Sequence, residues 1–184
     1  MAEATTHIAT QTVSGGSTAS IVFSSIPSTY DDLILIGSGR CDNSSDYQLY
    51  FDIRLNSDAN SNYTLGHGYA QRGTNSYGSN VDANLVAQWR INNLPGTALS
   101  ETAPGSFYMY MPGYSETTTK KNMVWMSGSV LSNTNYVTRQ YSTLNFKGFG
   151  LYNATGGISH MTLTTLYGYW VAGSSYSLYG INNS

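Results

Sequence analysis

Charged side chains are scarce in this chain. Of its 184 residues, 8 are Lys or Arg and 10 are Asp or Glu, so 10% are charged and the formal net charge is -2. An ordinary soluble domain is about 25% charged. With only 3 Lys, the chain lacks the basic footprint that nucleic-acid binding requires. Few charges also mean little repulsion between copies, which favours assembly.

Cysteine and long apolar runs are also lacking. Cys41 is the single cysteine, so the chain can form neither an internal disulfide nor a thiolate metal cage. No run approaches the roughly 18 apolar residues of a membrane span, so no membrane partner is expected. Residues 1–7 have neither the basic nor the apolar region of a secretory signal, and we therefore expect folding in a cytoplasm.

The polarity of the chain comes instead from hydroxyl and amide side chains. It contains 25 Ser, 20 Thr and 16 Asn, about a third of all residues, together with 16 Tyr and 19 Gly. Its aromatic fraction of 13% is too high for a disordered tail. A single domain of this length buries about 70% of its unfolded surface, so it needs neither metal nor disulfide to fold.

Alternation of apolar and polar residues predicts β-strands. In the segment 46–55 one strand face would carry Tyr47, Leu49, Phe51, Ile53 and Leu55. Further strands are predicted at 20–23, 33–38, 63–71, 106–111, 122–130, 144–151, 159–166 and 176–181. Turn-forming clusters such as 57–62 and 73–80 separate them. The expected fold class is all-β, a single-domain antiparallel β-sandwich of jelly-roll-like type over residues 1–184, with little or no helix.

The segment 82–90 fits two structures. An acidic cap followed by an apolar stripe at Leu85, Val86 and Trp89 matches a short helix. The alternation of Leu85, Ala87 and Trp89 also matches one face of a strand. We favour the strand, because β-branched and aromatic residues dominate the neighbourhood.

Metal-binding motifs are incomplete. The segment 58–62 opens like a calcium loop, but Tyr63 stands where Gly is required and Tyr69 where a bidentate Glu is required. A polar turn whose Asx side chains bond their own backbone explains the segment better. The histidines are too far apart in sequence to indicate a zinc site: His7, His67 and His160. We therefore predict no metal site and no cofactor.

Signatures of enzymes are missing as well. The chain has no G-x-S-x-G elbow and no complete phosphate loop. Asp31 and Asp32 are adjacent, and Glu101 and Glu116 lie in predicted loops, so nothing places two acids at the separation that glycoside hydrolysis needs. Glycines flank His67 and would admit a ligand close to the backbone, but a strand interrupted by small residues explains them better. We predict no catalytic residue and no enzymatic activity.

Aromatic side chains are the remaining candidates for function. Tyr108 and Tyr110 alternate with apolar residues, so their strand is either central in a sandwich or covered by another chain. Tyr and Trp suit interfaces because they bury a large area and keep a polar tip. The same residue types also stack on sugars or fill a core, and composition does not separate these roles. The candidate partner-binding aromatics are Tyr108, Tyr110, Tyr169, Trp170, Tyr176 and Tyr179; for a glycan, the stacking platform would be Trp89, Trp125 or Trp170.

The N-terminal segment 1–16 has two interpretations. Its low charge and β-prone residues suit a docking arm that adds a strand to a partner's sheet. In that case the partner-binding residues would be Thr5, His7, Ile8 and Val13. Alternatively, the segment is the first strand of the sandwich.

Two stretches resemble virion structural proteins of tailed bacteriophages. IPSTYDDLILI at 26–36, continued by GSGR at 37–40, resembles an early strand of these proteins, and GSSYSLYGI at 173–181 is similar to their last strand. Such proteins are head decoration, head-fibre or tail-appendage components. The resemblance implies a non-enzymatic β-sandwich, displayed in many copies on a virion that assembles in the bacterial host's cytoplasm.

The expected function is therefore that of a capsid decoration (cement) protein. Its partners would be the major capsid protein or other virion proteins, and copies of the chain itself in a homo-oligomer. The alternative is a tail-fibre or tail-appendage module that binds a host glycan or receptor.

Overall fold

The computed structural model describes residues 5–44, 48–71, 76–96, 103–132 and 141–183. These residues form twelve β-strands in two antiparallel sheets and contain no helix. In spatial order, the large sheet contains β1 (Thr5–Thr12), β12 (Ser175–Ile181), β3 (Asp32–Gly39), β8 (Gly105–Met111), β9 (Lys121–Ser132), β10 (Tyr141–Tyr152), β5 (Tyr63–Gln71) and β6 (Ser76–Val86). The small sheet contains β2 (Ser20–Phe23), β11 (Met161–Thr165), β4 (Gln48–Leu55) and β7 (Trp89–Pro95).

The strand order is that of a jelly roll. A jelly roll has eight strands, B to I in chain order, in sheets ordered B-I-D-G and C-H-E-F. If the hairpins β5–β6 and β9–β10 are set aside, the remaining eight strands give β1-β12-β3-β8 and β2-β11-β4-β7, which is this order. The two hairpins are insertions that widen one sheet from four strands to eight. The predicted jelly-roll-like β-sandwich is therefore confirmed.

The core lies between the two sheets and follows the predicted alternation. In β4, Leu49, Phe51, Ile53 and Leu55 are each at most 2% exposed, whereas Tyr47 lies outside the described residues. These side chains meet apolar residues of the large sheet, with Phe51 edge-on to Phe107 at a centroid distance of 5.1 Å. Apolar burial on the facing sides of both sheets is the main source of stability.

All three tryptophans are part of this core. Trp89 and Trp170 are 0% exposed and Trp125 is 1% exposed. The indole N–H of Trp89 donates to the carbonyl of Thr64 at 3.0 Å, and that of Trp170 donates to the carbonyl of Leu163 at 3.3 Å. Because buried indole nitrogens need acceptors, these bonds fix the orientation of both rings.

Two local predictions need correction. The strand favoured over a helix for 82–90 is right in type, but it is not continuous: residues up to Val86 belong to β6, and Trp89 begins β7 in the other sheet. The segment 73–80 was expected to be a turn, but Ser76–Val86 pairs with β5. Here pairing with a neighbouring strand outweighs the turn preference of Gly, Ser and Asn.

The N-terminal segment is the first strand of the sandwich. Thr5–Thr12 pairs with β12, with a bulge between His7 and Ala9, and Val13 is 5% exposed in the core. A docking arm free of the domain is therefore not what the structure shows. Residues 1–4 lie outside the described part of the chain.

Candidate functional site

The outer face of the small sheet is polar and charged. Asp52 accepts a hydrogen bond from Arg90 Nε at 3.1 Å and another from the Gln88 side chain. Gln88 in turn accepts from Arg54 Nη2 at 2.6 Å. Burial raises the pKa of Asp52, against the opposing effect of Arg90. Asp52 is 5% exposed beneath these partners and Arg90 is exposed, so this face is built from polar and charged side chains that bond one another.

The outer face of the large sheet has a different composition. Residues paired across the strands form two rows, and each row crosses all eight strands. The first row is His7, Tyr179, Ile34, Tyr110, Val124, Phe149, Gly66 and Val81. The second row is Thr10, Ser177, Ile36, Tyr108, Met126, Lys147, Gly68 and Ser79. We call the surface formed by these two rows, with Tyr77 next to Ser79 on the same side of β6, the apolar face.

Large apolar side chains of this face are exposed to solvent. The exposed fractions are Ile36 47%, Val124 51%, Met126 55%, Phe149 60%, Val81 60% and Tyr77 88%. Their combined exposed area is on the order of 700 Å², above the roughly 300–600 Å² of the largest patch on a typical monomer. It approaches the roughly 800 Å² that one partner contributes to a standard interface. A face of this size and composition is a candidate interaction surface.

A trench runs along β5 in the apolar face. Gly66 and Gly68 form its floor, because they carry no side chain between the neighbouring strands. The ring of Phe149 leans over Gly66, where an added Cβ would lie 2.6 Å from the ring, while above Gly68 the nearest such atom would be a carbonyl oxygen at 3.7 Å. Two adjoining depressions of about 830 Å³ and 580 Å³ follow the trench.

Lys147 is the exposed charge at the centre of the apolar face. On the five strands β3, β8, β9, β10 and β5 the other Asp, Glu, Lys or Arg residues are Asp32 and Lys121, both of which are buried. Within the described residues, no hydrogen bond or ion pair is formed by the Lys147 ammonium group. Water therefore solvates it in the isolated protein.

Several predicted partner-binding residues do lie on this face. Tyr108 and Tyr110 are half-buried in its centre, and Tyr179 lies beside His7 at its β1 end, with ring centroids 5.4 Å apart. Thr5 and Ile8 belong to the same edge strand, where Ile8 packs partly against the core. The structure thus brings together residues from three segments that are distant in sequence.

Tyr110 is held in place by a carboxylate. Its hydroxyl donates to Asp32 Oδ2 at 2.7 Å, and this bond, with burial second, raises the pKa of Tyr110 to about 12. Asp32 also accepts from the Gly113 N–H at 2.9 Å and from Asn183 Nδ2 at 2.8 Å. Burial alone would raise the pKa of Asp32, but the three hydrogen bonds outweigh it and lower that pKa.

Other predicted partner-binding residues lie elsewhere, and for three of them the prediction is wrong. Val13, Trp170 and Tyr176 are 5%, 0% and 1% exposed, so a partner reaches none of them without opening the core. Tyr169 is 43% exposed, but it belongs to the loop after β11 and not to the apolar face. Burial of Trp89, Trp125 and Trp170 likewise removes the proposed platforms for a glycan.

Sequence reasoning missed the most exposed members of the apolar face. Val124 and Met126 alternate with Met123 and Trp125 in β9, so both faces of that strand are apolar. This is the signal that identified Tyr108 and Tyr110 in β8, and β9 carries it as well. Phe149 and Val81 gave no such signal, because their neighbours in the chain are small or polar.

The candidate calcium segment is a closed hydrogen-bonded turn. Asp58 accepts from Asn60 N–H at 2.8 Å, Asn62 Nδ2 at 2.8 Å and the Tyr152 hydroxyl at 2.8 Å. The Asn62 side chain, followed by the Asn60 backbone and Tyr152, lowers the pKa of Asp58 to about 2 against the opposing effect of burial. This is the Asx-type turn that the sequence indicated.

Comparison with protein-family models, with curated proteins and with solved structures gives no match to this chain. In the described segments, no three His, Cys, Asp or Glu side chains are grouped so that they could hold a metal ion. Among the described residues, no helix has the length and hydropathy needed to cross a bilayer.

Proposed function

We propose that this chain is a structural virion protein of a tailed bacteriophage, without enzymatic activity, that decorates the capsid and stabilises it by binding neighbouring virion proteins. The apolar face is the binding surface. The observation that carries this proposal is the contrast between the two outer faces, one charged and one carrying exposed Val124, Met126 and Phe149.

Two further observations support the proposal. The stretches that resemble phage virion proteins include β3 and β12, which are hydrogen-bonded neighbours in the large sheet. The resemblance thus concerns one continuous part of the fold. Jelly rolls are also the architecture of many viral capsid domains, although an architecture alone does not define a function.

A virion-binding assay with matched variants tests the proposal. Virions that lack the protein, obtained by deleting its gene, are mixed with purified protein and sedimented. We expect V124S and F149S each to weaken binding at least tenfold, because each removes apolar area from the centre of the interface. The control is V22S, since Val22 is 37% exposed on the outer face of the small sheet, and it should bind within about twofold of the native protein.

Two results would contradict the proposal. If the native protein does not bind these virions, the chain is not a capsid decoration protein. If V22S weakens binding as much as V124S, the apolar face is not the binding surface. Binding of the isolated protein to a saccharide array, lost in F149S, would favour the tail-fibre alternative instead.

A further inference from the structure

The position of Lys147 indicates the chemistry of the partner. This inference rests on the proposed function and deepens it. We infer that the surface covering the apolar face belongs to a different protein, is itself apolar, and places a carboxylate against the ammonium group of Lys147.

Lys147 lies where a partner must cover it. In the second row it is paired with Met126 on one side and Gly68 on the other, and Phe149 is the next residue on the same face of β10. A partner that buries Met126 and Phe149 therefore removes water from Lys147 as well. Removing water from an ammonium group is strongly unfavourable unless an acidic group or several carbonyl oxygens replace that water.

A second copy of this chain that docks through its own apolar face does not supply that acidic group. Among the described side chains of the apolar face, the acid present is Asp32, which is 4% exposed and already accepts three hydrogen bonds. Two such faces placed together would bring two ammonium groups into one apolar interface with no carboxylate between them. Like charges in an interface select against that pairing.

The size of the face agrees with one partner contact. An exposed apolar area on the order of 700 Å² corresponds to one side of a standard interface, which has a fully apolar centre and few charges. A single charge pair within such a centre fixes the partner's position and suppresses wrong partners more than it raises affinity. Lys147 thus acts as the specificity-determining residue of the surface.

Charge variants at position 147 test the inference in the virion-binding assay. We expect K147R to bind within about threefold of the native protein, K147Q to bind about tenfold more weakly and K147E about a hundredfold more weakly, because reversal places two carboxylates together. The matched control is K120E on an exposed loop, which should bind normally. If F149S abolishes binding while K147E does not, the proposed function stands and the inference about the carboxylate is wrong.

Zero-length crosslinking identifies the partner group directly. Virions carrying the native protein are treated with a water-soluble carbodiimide, which joins amines to contacting carboxylates, and the crosslinked peptides are sequenced by mass spectrometry. We expect a crosslink from Lys147 to an Asp or Glu of another virion protein, absent from virions carrying K147R. A crosslink from Lys147 to a second copy of this chain, or none from Lys147 on virions that carry the protein, would overturn the inference.

Discussion

Among the described carboxylates, hydroxyl and amide donors are more frequent hydrogen-bond partners than cations are. Asp58 is held by Asn60, Asn62 and Tyr152, and Asp32 by Tyr110 and Asn183 together with a backbone N–H. Hydrogen bonds to an ionised group contribute more than neutral ones and depend little on salt. The abundance of Asn and Tyr therefore compensates for the scarcity of Lys and Arg, because their side chains supply the hydrogen bonds that hold the carboxylates.

The pKa of Asp58 predicts a stability change in acid. The pKa of about 2 in the folded protein lies below the ordinary value of 3.8 for this group, so the ionised form stabilises the fold above about pH 4. That contribution is lost as the pH falls from about 4 to about 2. We expect D58N to be less stable than the native protein at pH 6 and nearly equal to it at pH 2, as measured by urea unfolding.

The hydrogen bond from the Asn62 side chain is the main cause of the lowered pKa of Asp58. Removing its amide in N62A should raise the Asp58 pKa towards 3.8, which carboxyl NMR titration measures. A difference in stability between D58N and native protein that stays constant from pH 6 to pH 2 would contradict this account.

Two glycines on opposite faces of the large sheet predict different outcomes for substitution by alanine. A Cβ at Gly37 would clash with the ring of Tyr176 and lie 2.6 Å from the backbone oxygen of Ser175, whereas a Cβ at Gly68 meets only the Gly78 oxygen at 3.7 Å. We expect G37A to lower the free energy of unfolding by about 2 kcal/mol or more. G68A should change the free energy of unfolding by less than about 1 kcal/mol. Denaturant unfolding measures both variants. If G37A and G68A lose the same stability, the space around these two positions is not as described.

At the scale of elements, strands with clean alternation could be predicted from the sequence. The predicted segments 20–23 and 63–71 coincide with β2 and β5. The first half of β6 was missed because its Gly, Ser and Asn residues favour turns locally, and only pairing with β5 makes that segment extended. The break between β6 and β7 was missed because the alternation of apolar and polar residues continues where the chain passes from one sheet to the other.

β1 tests whether the N-terminal segment belongs to the domain. It pairs with β12 along most of its length, and Ile8 packs against the core. Removal of residues 1–12 should therefore lower the free energy of unfolding by about 2–4 kcal/mol, through lost apolar burial and an unpaired edge on β12. The control is Q11A, which removes only an exposed side chain of β1 and should change the free energy of unfolding by less than about 0.5 kcal/mol.

Full stability of the 13–184 protein in urea would contradict the assignment of β1 to the sandwich. Such a result would favour the docking-arm interpretation of the N-terminal segment again.

At the scale of the whole molecule, the candidate site depends on strand order, which the sequence does not show. Val124 and Phe149 are neighbours because β9 and β10 pair, and Val81 joins them only through β5. Tyr108 and Tyr110 were predictable because both faces of their strand are bulky. The apolar face as a whole could not be predicted from the sequence, because it depends on the register of eight strands. Its most exposed residues come from the two inserted hairpins and from β3.

The central claim concerns which side of the sandwich meets the virion, and the most direct test is an electron cryomicroscopy reconstruction of the particle. The account predicts density for this chain on the capsid, with the apolar face of the large sheet buried against a neighbouring protein. The outer face of the small sheet, with Asp52 and Arg90, should then face solvent. A map in which the large sheet faces solvent and the small sheet meets the capsid, or in which this chain is absent, would contradict it.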